Sequence, residues 1–287
     1  MKRIPIRQIR SSFMEEVTPE HFNIRRVEDV VGNKDLFHDL HRHNFFFILA
    51  VTDGEGTHEI DFSSYPVKSN SVFFIKPGQV HQLEMKAGCS GFLMEFNAEF
   101  YHPSSKAAIQ HLKKASNRNF CHFDKDGFHR LNQILDNIYS EYTEKQEAYQ
   151  ECIKAGLDLL MISLFRQSRN SVASPSGSHL YAQDRLEEFF ELLETHVTAH
   201  KQVSYYTDLM NLSAFQLNEI IKSTVGKTSS ELINDHIILE AKRHLLATPN
   251  QVKEIAEQLG YEDVSYFIRF FKKHTGYSPE VYRIKHS

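Results

Sequence analysis

The chain contains no tryptophan, only three cysteines in 287 residues, and no apolar run long enough to cross a membrane. Its start, Met1 to Gln8, also lacks the apolar core of a secretory signal peptide. Cys89, Cys121 and Cys152 are odd in number, scattered, and without the spacing of a metal site. These absences predict a cytoplasmic protein whose cysteines are reduced and act as small buried side chains, with redox sensing as the open alternative.

Length and composition indicate a globular protein of one large or two ordinary domains. Hydrophobic residues make up 41% of the chain and charged residues 24%, which is enough to build a sizeable core. The net charge of -4 gives no general sign of a nucleic-acid partner, and residues 182–287 are also slightly acidic. Only the stretch from Val264 onward is basic, so any attraction to DNA would be local.

Residues 252–275 predict two short helices joined by a glycine turn. Gly260 permits the turn, and Asp263 is a suitable N-cap for the second helix. The apolar positions of the second helix follow a helical period: Val264, Phe267, Phe270, Phe271 and His274. Its other face carries polar, aromatic and basic side chains: Ser265, Tyr266, Ile268, Arg269 and Lys272. Such a pair is typical of a helix-turn-helix, whose second helix enters the major groove of DNA.

The same pattern occurs about 50 residues earlier, so the chain contains an internal repeat. Ser213 with Gln216, and Thr228 with Glu231, have the spacing of capping boxes at helix starts. Between the two copies, Ser230 to Ala247 predicts one helix of roughly 27 Å. The two second helices would then be separated by close to one turn of DNA, about 34 Å. They could enter successive major grooves on one side of a duplex.

The end of the chain is specific enough to indicate a family. The segment Gly260-Tyr-Glu-Asp-Val-Ser-Tyr-Phe-Ile-Arg-Phe-Phe-Lys-Lys-His-Thr-Gly-Tyr-Ser-Pro-Glu-Val-Tyr-Arg283 resembles the C-terminal signature of the AraC-type bacterial transcription regulators. The resemblance covers residues 182–287 well and the rest of the chain only in outline. It implies a double-stranded DNA partner, an N-terminal sensor domain for a small-molecule effector, a homodimer, and contact with RNA polymerase.

Alignment with the family's motif implies two sets of groove-facing residues. In the first unit they are Phe215, Gln216, Asn218, Glu219 and Lys222, and in the second Val264, Ser265, Tyr266, Ile268, Arg269 and Lys272. Arg269 suits guanine, Gln216 or Asn218 suits adenine, and the lysines suit phosphates. Glu219 stands where the family often has a basic residue. A carboxylate can accept a hydrogen bond from the cytosine amino group but repels phosphate, so the base preference of the first helix-turn-helix stays open.

The first half of the chain predicts short strands separated by turns. The strands are His41–Val51, Thr57–Phe62, Ser71–Ile75 and Gly91–Phe96, with connections at Asp53–Gly56, Tyr65–Asn70 and Pro77–His81. This alternation is typical of a β-sandwich or a small barrel. If strand periodicity holds through the first segment, His41, His43, Phe45 and Phe47 share one face.

Two histidine motifs in this half resemble those of the cupin barrel, namely His41-x-His43 and Pro77-Gly-x-x-His81. In cupin enzymes such histidines hold a metal together with a glutamate, whose place falls here at Phe47 or Ile48. We therefore expect no metal and no cofactor. The predicted effector pocket comprises His41, His43, Phe45, Phe47, Tyr65 and His81. Two alternatives remain: metal binding by the three imidazoles, and histidines that only satisfy hydrogen bonds at strand ends.

The middle of the chain predicts helices and then a linker. Ile153–Phe165 is apolar over most of its circumference, so it must be covered on several sides, and the family resemblance adds dimerisation to packing within the chain. Residues 167–179 are rich in Ser, Gly, Pro and Asn. The predicted domains are 1–168 for effector binding and dimerisation, 169–181 for the linker, and 182–287 for DNA binding. The two helix-turn-helix units lie at about 203–225 and 252–275.

Together these features predict an α+β multidomain protein: an N-terminal cupin-like β-barrel with dimerisation helices, and a C-terminal all-α double helix-turn-helix domain. Its expected function is sequence-specific DNA binding by a ligand-responsive transcription activator, without enzymatic activity and without a membrane partner. The alternative is a metal-dependent cupin enzyme with an accessory helical domain. A protein–protein adaptor built on helix-turn-helix folds is a third possibility.

Overall fold

The computed structural model describes residues 6–7, 21–103, 105–170 and 177–286. The chain divides into two compact units, Pro5–Val172 and Ala173–Ser287. In the described ranges, no helix combines the length and apolarity needed to span a bilayer. The domain limits predicted from composition remain a prediction, and residues 171–176 of the predicted linker lie outside the described residues.

Two five-stranded sheets form the first unit. The strands are β1 (Ile6–Arg7), β2 (Phe22–Arg26), β3 (Leu36–His43), β4 (Phe46–Asp53), β5 (Gly56–Ile60), β6 (Ser63–Val67), β7 (Ser71–Ile75), β8 (Val80–Met85), β9 (Ser90–Phe96) and β10 (Phe120–His122). One sheet has the order β1-β3-β8-β5-β6 and the other β10-β7-β4-β9-β2. Pairing is antiparallel in both, apart from β1 with β3.

The second sheet is buried on both faces. Its outer face is covered by α2 (Lys106–Ser116), α3 (Lys125–Glu144) and α4 (Tyr149–Asn170), whereas the short α1 (Val27–Val31) packs Val27 and Val31 into the core between the sheets. On β7, Phe73 and Ile75 join the core between the sheets, whereas Val72 and Phe74 join the core beneath the helices. Burial on both faces explains why this strand is an unbroken apolar run in the sequence. The predicted strand Ser71–Ile75 is confirmed, as is the sheet-rich fold of this unit.

Several predicted boundaries in this unit are wrong. The segment His41–Val51 is two strands, because the chain bends at Asn44 and Phe45; the assumed strand periodicity therefore stops before Phe45. Tyr65 lies within β6 and not in a connection. The strand β10 and the helix α2 were not predicted; β2 lies in the mixed segment before Val31, for which the sequence allows an arm or an edge strand. The strands β2 and β10 are short and are defined by their pairing with β9 and β7, whereas α2 begins at the side-chain cap of Ser105.

The second unit is all helical in its described residues. Its helices are α5 (Gly177–His196), α6 (Val203–Met210), α7 (Ala214–Val225), α8 (Ser229–Ala247), α9 (Val252–Gln258), α10 (Val264–Thr275) and α11 (Pro279–His286). The pairs α6–α7 and α9–α10 span the two predicted helix-turn-helix units. Helices α4 and α5 both extend into the predicted linker, the first to Asn170 and the second from Gly177. Helix α8 connects the two helix-turn-helix units and buries Ile233, Ile237 and Leu245.

Candidate nucleic-acid interface and barrel interior

The two second helices of the repeat begin and end at defined caps. At the start of α7, Ser213 and Gln216 form both bonds of a capping box, as their spacing predicts. At the start of α10, Asp263 Oδ1 accepts from the backbone nitrogens of Ser265 at 2.7 Å and Tyr266 at 3.1 Å. Gly226 and Gly276, with φ of 72° and 81°, close the two helices in the left-handed conformation. Local sequence therefore sets the length of both helices.

The turn before α10 is held by a close approach of backbone to backbone. Gly260 has φ of 71°, and a Cβ at this position would lie 1.7 Å from the carbonyl oxygen of Thr198. Lys201 Nζ donates to the carbonyl oxygens of both Thr198 and Gly260, each at 2.9 Å. The same ammonium lies 4.7 Å from the ring centroid of Tyr261. Only glycine fits here, and the contact ties the turn to the segment between α5 and α6.

Helix α10 separates its residues into a core face and an outer face. Phe267 and Phe271 are fully buried, whereas Ser265, Tyr266, Arg269 and Lys272 are exposed. Val264 and Ile268, also predicted to face the groove, are half-buried. Arg269 Nη2 lies 3.9 Å from Asp263 Oδ2, and both side chains are exposed. Such a long, solvated ion pair is weak, so the guanidinium is available to an external partner.

Helix α7 has a different outer face. Phe215 is 74% exposed, Glu219 and Lys222 are exposed, and Leu217 and Ile221 are buried. The chain therefore presents an aromatic ring, a carboxylate and an ammonium on this helix, instead of the arginine-centred face of α10. Within the described residues, Glu219 forms no ion pair.

The two amides predicted to contact adenine in the first helix-turn-helix form hydrogen bonds within the protein. Gln216 Oε1 accepts from the backbone nitrogen of Ser213 at 2.8 Å. Asn218 Oδ1 accepts from both the backbone nitrogen and the hydroxyl of Ser229, each at 2.9 Å. Bidentate pairing with adenine needs the oxygen and the nitrogen of one amide. Asn218 Oδ1 already accepts two hydrogen bonds and Gln216 Oε1 accepts one within the protein, so pairing with adenine would compete with these bonds and remains a prediction.

Five of the predicted effector residues are buried together between the two sheets, and the sixth, Tyr65, packs at the edge of the same core. His41, His43, Phe45, Phe47 and His81 are all at most 5% exposed. The ring centroids of His41 and His81 are 4.2 Å apart, and those of His43 and Phe45 are 4.1 Å apart. Tyr65 is half-buried on β6 and stacks on Phe120 instead. The rings contact one another, so this interior is filled by its own side chains.

Hydrogen bonds fix which ring nitrogens of two histidines carry a proton. His41 Nδ1 lies 2.8 Å from the carbonyl oxygen of Asp39, and His43 Nδ1 lies 2.8 Å from that of Phe45. A carbonyl oxygen only accepts, so both rings donate from Nδ1. Each neutral ring therefore keeps a lone pair on Nε2.

A further histidine, His58 on β5, belongs to the cluster and was missed by sequence reasoning. His58 Nε2 lies 2.9 Å from His81 Nδ1, and His58 is fully buried. It stands alone in the sequence, outside both cupin-like motifs. Its only signal is the alternation of β5, which places it on the same face as the buried Ile60.

Burial keeps the centre of the cluster neutral. Burial, followed by the charges of the neighbouring imidazoles with His41 first, lowers the pKa of His58 to about 3. Burial, followed by the charge of His58, lowers the pKa of His81 well below its ordinary value. In the described part of the chain, no group of three His, Cys, Asp or Glu side chains is arranged to hold a metal ion. The interior is thus an uncharged aromatic and imidazole surface.

Comparison with protein families places both units. Residues 31–161 match the AraC-like ligand binding domain, and residues 206–285 match a helix-turn-helix domain. The chain belongs to the AraC-type transcription regulators. This confirms the predicted fold class and the predicted function as a DNA-binding transcription regulator with a ligand-binding domain. The family assignment gives no support to the alternative of a cupin enzyme.

Curated relatives of this AraC-type regulator are transcription regulators. The HTH-type transcriptional regulator YfiF of Bacillus subtilis is 25% identical over 259 residues, which cover 85% of this chain and 78% of that protein. The HTH-type transcriptional activator RhaR of Cronobacter sakazakii is 20% identical over 250 residues, which cover 85% of this chain and 86% of that one.

Among solved structures, ToxT of Vibrio cholerae is 16% identical and has a TM-score of 0.43, covering 92% of this chain and 97% of that chain. The C-terminal domain of the response regulator yesN of Fusobacterium nucleatum is 32% identical with a TM-score of 0.33. The alignment with that domain covers 35% of this chain and 98% of the solved chain.

Proposed function

We propose that this regulator is a homodimeric, ligand-responsive activator that reads DNA with two helices of each chain. The observation that carries the proposal is the pair of capped helices α7 and α10 in one unit, each with a buried apolar face and an exposed polar face. Helix α8 joins them and, with 19 residues, is about 28 Å long. This length is close to one turn of DNA.

The second helix-turn-helix has the stronger set of base-reading groups. Arg269 carries the bidentate donor that suits guanine, and Ser265 and Tyr266 lie beside it at the start of α10. Lys272, in the last turn, suits a phosphate. We assign a supporting role to Val264 and Ile268, because half-buried apolar side chains contribute packing and not hydrogen bonds.

The proposed effector site lies between the two sheets, among the histidine cluster. Two neutral imidazoles carry two ring protons, and one of them lies in the hydrogen bond between His58 Nε2 and His81 Nδ1. The other is on either His58 Nδ1 or His81 Nε2, so in both tautomers one of these two atoms is a donor and the other an acceptor. Both atoms are buried and lack a partner among the described residues. A ligand with a hydroxyl group and an apolar face would satisfy them. Because the rings are in contact, such a ligand must displace side chains to enter.

The proposed dimer interface uses α4. This helix buries Ile153, Leu157 and Leu164 against its own unit, yet leaves Leu159 56% exposed. Cys152 is also exposed on the same helix. A second copy that covers this side would remove the apolar surface from water. Ligand entry would shift the helices packed on the barrel, and the change would reach the DNA-binding unit through the segment around residues 169–181.

Activation through RNA polymerase is the last part of the proposal. It is supported by the RhaR proteins, which are named as activators. We also propose that the chain is not an enzyme, because the relatives are regulators and the cupin-like motifs lack the glutamate.

Selection of bound sequences from random duplex DNA tests the core of the proposal. The full chain, Arg269→Ala and the control Arg130→Ala would be compared, since Arg130 is an exposed arginine on α3. We expect the wild type and the control to enrich two short elements about one turn apart. Arg269→Ala should degrade one element only. A folded wild-type protein that enriches no sequence, with or without cell-extract metabolites, would contradict the proposal.

A further inference from the structure

We infer that the two helix-turn-helix units read chemically different half-sites, and that α7 selects a thymine methyl group with Phe215 and a cytosine amino group with Glu219. The inference rests on the proposed placement of α7 in the major groove and goes beyond it by assigning the bases. It replaces the adenine preference that sequence reasoning suggests for this unit.

Elimination within α7 gives the first step. The amide oxygens of Gln216 and Asn218 are held by Ser213 and Ser229, as described above. Ser223 donates its hydroxyl to the carbonyl oxygen of Ile220. Gln216 is exposed, but its amide oxygen caps the helix, so among the described residues the exposed reading side chains without such an internal bond are Phe215, Glu219 and Lys222.

Phe215 has the position and exposure for an apolar base contact. It is the second residue of α7, and the N-terminal residues of a recognition helix lie nearest the base edges. A phenylalanine ring that is 74% exposed loses apolar hydration if it meets another apolar group. The C5-methyl group of thymine is the apolar group that the major groove presents.

Glu219 restricts the choice of base by its charge. A carboxylate on a helix that approaches a polyanion is repelled unless it accepts a hydrogen bond. Cytosine presents only its amino donor in the major groove, whereas adenine places the N7 acceptor beside its amino group and guanine presents two acceptors. Of these, cytosine suits a carboxylate that accepts without donating. Glu219 forms no ion pair with a described residue that would remove it from this role.

The spacing of the two side chains makes the inference specific. Phe215 and Glu219 are four residues apart on one face of α7, which corresponds to a rise of about 6 Å. Base pairs in B-DNA are about 3.4 Å apart, so the two contacts fall within about two base pairs. In the second unit the residue equivalent to Glu219 is Arg269, which selects guanine. The operator is therefore predicted to be asymmetric in base preference between its two elements.

The test uses the duplex that the full-length protein enriches from random DNA, and measures its binding to four proteins. These are the wild type, Phe215→Ala, Glu219→Gln, and the control Val225→Ala at the far end of the same helix. Replacing thymine by uracil in the first element removes only the methyl group. We expect this replacement to weaken wild-type binding about fourfold and to leave Phe215→Ala unchanged. Glu219→Gln should exchange the cytosine preference for adenine, with a change in discrimination of about fivefold or more.

The other outcomes separate two kinds of failure. If the first element that the wild type enriches contains no A·T pair or no G·C pair, or if uracil weakens Phe215→Ala as much as the wild type, the base assignment is wrong while DNA reading stands. The same holds if Glu219→Gln keeps the wild-type preference. If the full-length wild-type protein enriches no sequence, both this inference and the proposed sequence-specific function are overturned. Because Phe215 and Glu219 are exposed, the substitutions should leave the fold intact, which circular dichroism would check.

Discussion

Asn218 and Ser229 form two hydrogen bonds that join the second helix of the first helix-turn-helix, α7, to the helix that follows it, α8. The Asn218 amide oxygen accepts from the backbone nitrogen and the hydroxyl of Ser229, which is 1% exposed and is the first residue of α8. In the second copy of the repeat the equivalent residues are Ile268 and Pro279. Proline at the first helical position has no N–H to satisfy, so an apolar partner suffices there. The equivalent pair of residues is therefore polar in one copy and apolar in the other.

Exchanging the polar junction for the apolar one should show this equivalence. Asn218→Ile leaves the buried nitrogen and hydroxyl of Ser229 without an acceptor, so we expect the free energy of unfolding to fall by about 1–3 kcal/mol. The double variant Asn218→Ile with Ser229→Pro should recover most of that loss. Thermal unfolding followed by far-ultraviolet circular dichroism, with hydrogen exchange in α8, would measure both. A double variant as unstable as the single one would show that Asn218 has another role.

Gly260 and Gly276 offer a comparison between steric exclusion and backbone strain. Both have positive φ, but a Cβ at Gly276 meets nothing within 4 Å, whereas a Cβ at Gly260 meets the carbonyl oxygen of Thr198 at 1.7 Å. Gly276→Ala should therefore cost about 1–2 kcal/mol from the left-handed backbone alone. Gly260→Ala should cost more, and should also weaken DNA binding because the start of α10 must move. Equal losses in the two variants would exclude a special role for the contact with Thr198.

Local signals in the sequence were sufficient to predict the helical unit. The capping boxes at Ser213 and Thr228 and the cap at Asp263 are short-range features, and each is confirmed. They could be found because the groups that satisfy a helix end lie within about four residues of it.

Long-range contacts were not predictable in the same way. His58 entered the barrel cluster through its position on a neighbouring strand, and Asn218 is engaged by a residue from the next helix. Phe45 was placed on a strand that in fact bends there. In each case the deciding contact is made across the fold, and a single sequence contains no direct record of it.

The histidine cluster should make the β-sheet unit, Pro5–Val172, less stable towards unfolding in acid. The pKa of His58 is lowered from its ordinary 6.5 to about 3 in the folded protein, so between these values the unfolded chain binds more protons. The contribution of neutral His58 to the free energy of unfolding is then fully present above pH 6.5 and is lost progressively as the pH falls towards 3. The loss for this histidine is up to about 1.4 kcal/mol per pH unit. His81, whose pKa is also lowered, adds loss in the same direction.

The variant His58→Gln isolates this effect, because glutamine can still bond to His81 Nδ1 but does not titrate. We expect a shallower dependence of stability on pH in this variant than in the wild type. His129→Gln, on the exposed side of α3, serves as the control and should follow the wild type. Chemical denaturation across pH 3.5 to 7.5 measures the slopes. If the stability of the wild type and of His58→Gln depends on pH with the same slope, His58 does not cause the loss of stability in acid.

Leu159 should decide whether α4 forms the dimer interface. The side chain is 56% exposed, so Leu159→Glu should leave the stability of the monomer nearly unchanged while placing a charge in the proposed contact. We expect sedimentation to show a dimer for the wild type and a monomer for this variant at the same concentration. Ile109→Glu on α2, which is 38% exposed, is the control and should remain dimeric. A dimer that survives Leu159→Glu uses another surface.

Lys272 should contribute attraction to DNA without selecting a sequence. It lies in the last turn of α10, three residues beyond Arg269, and its side chain is exposed. An ammonium group bound to one phosphate releases about one counterion. Lys272→Gln should therefore weaken binding to the selected duplex and to a scrambled duplex by a similar factor. It should also reduce the slope of log affinity against log salt by about 1.

Arg269→Ala, by contrast, should lose affinity mainly for the selected duplex, because a guanine contact carries specificity and a phosphate contact does not. Lys125→Gln, at the exposed start of α3 in the other unit, controls for the change in net charge and should leave both the affinity and the slope as they are. Titrations at several salt concentrations distinguish these cases. If Lys272→Gln relaxes sequence preference with an unchanged salt slope, its ammonium contacts a base and the division of roles along α10 must be reversed.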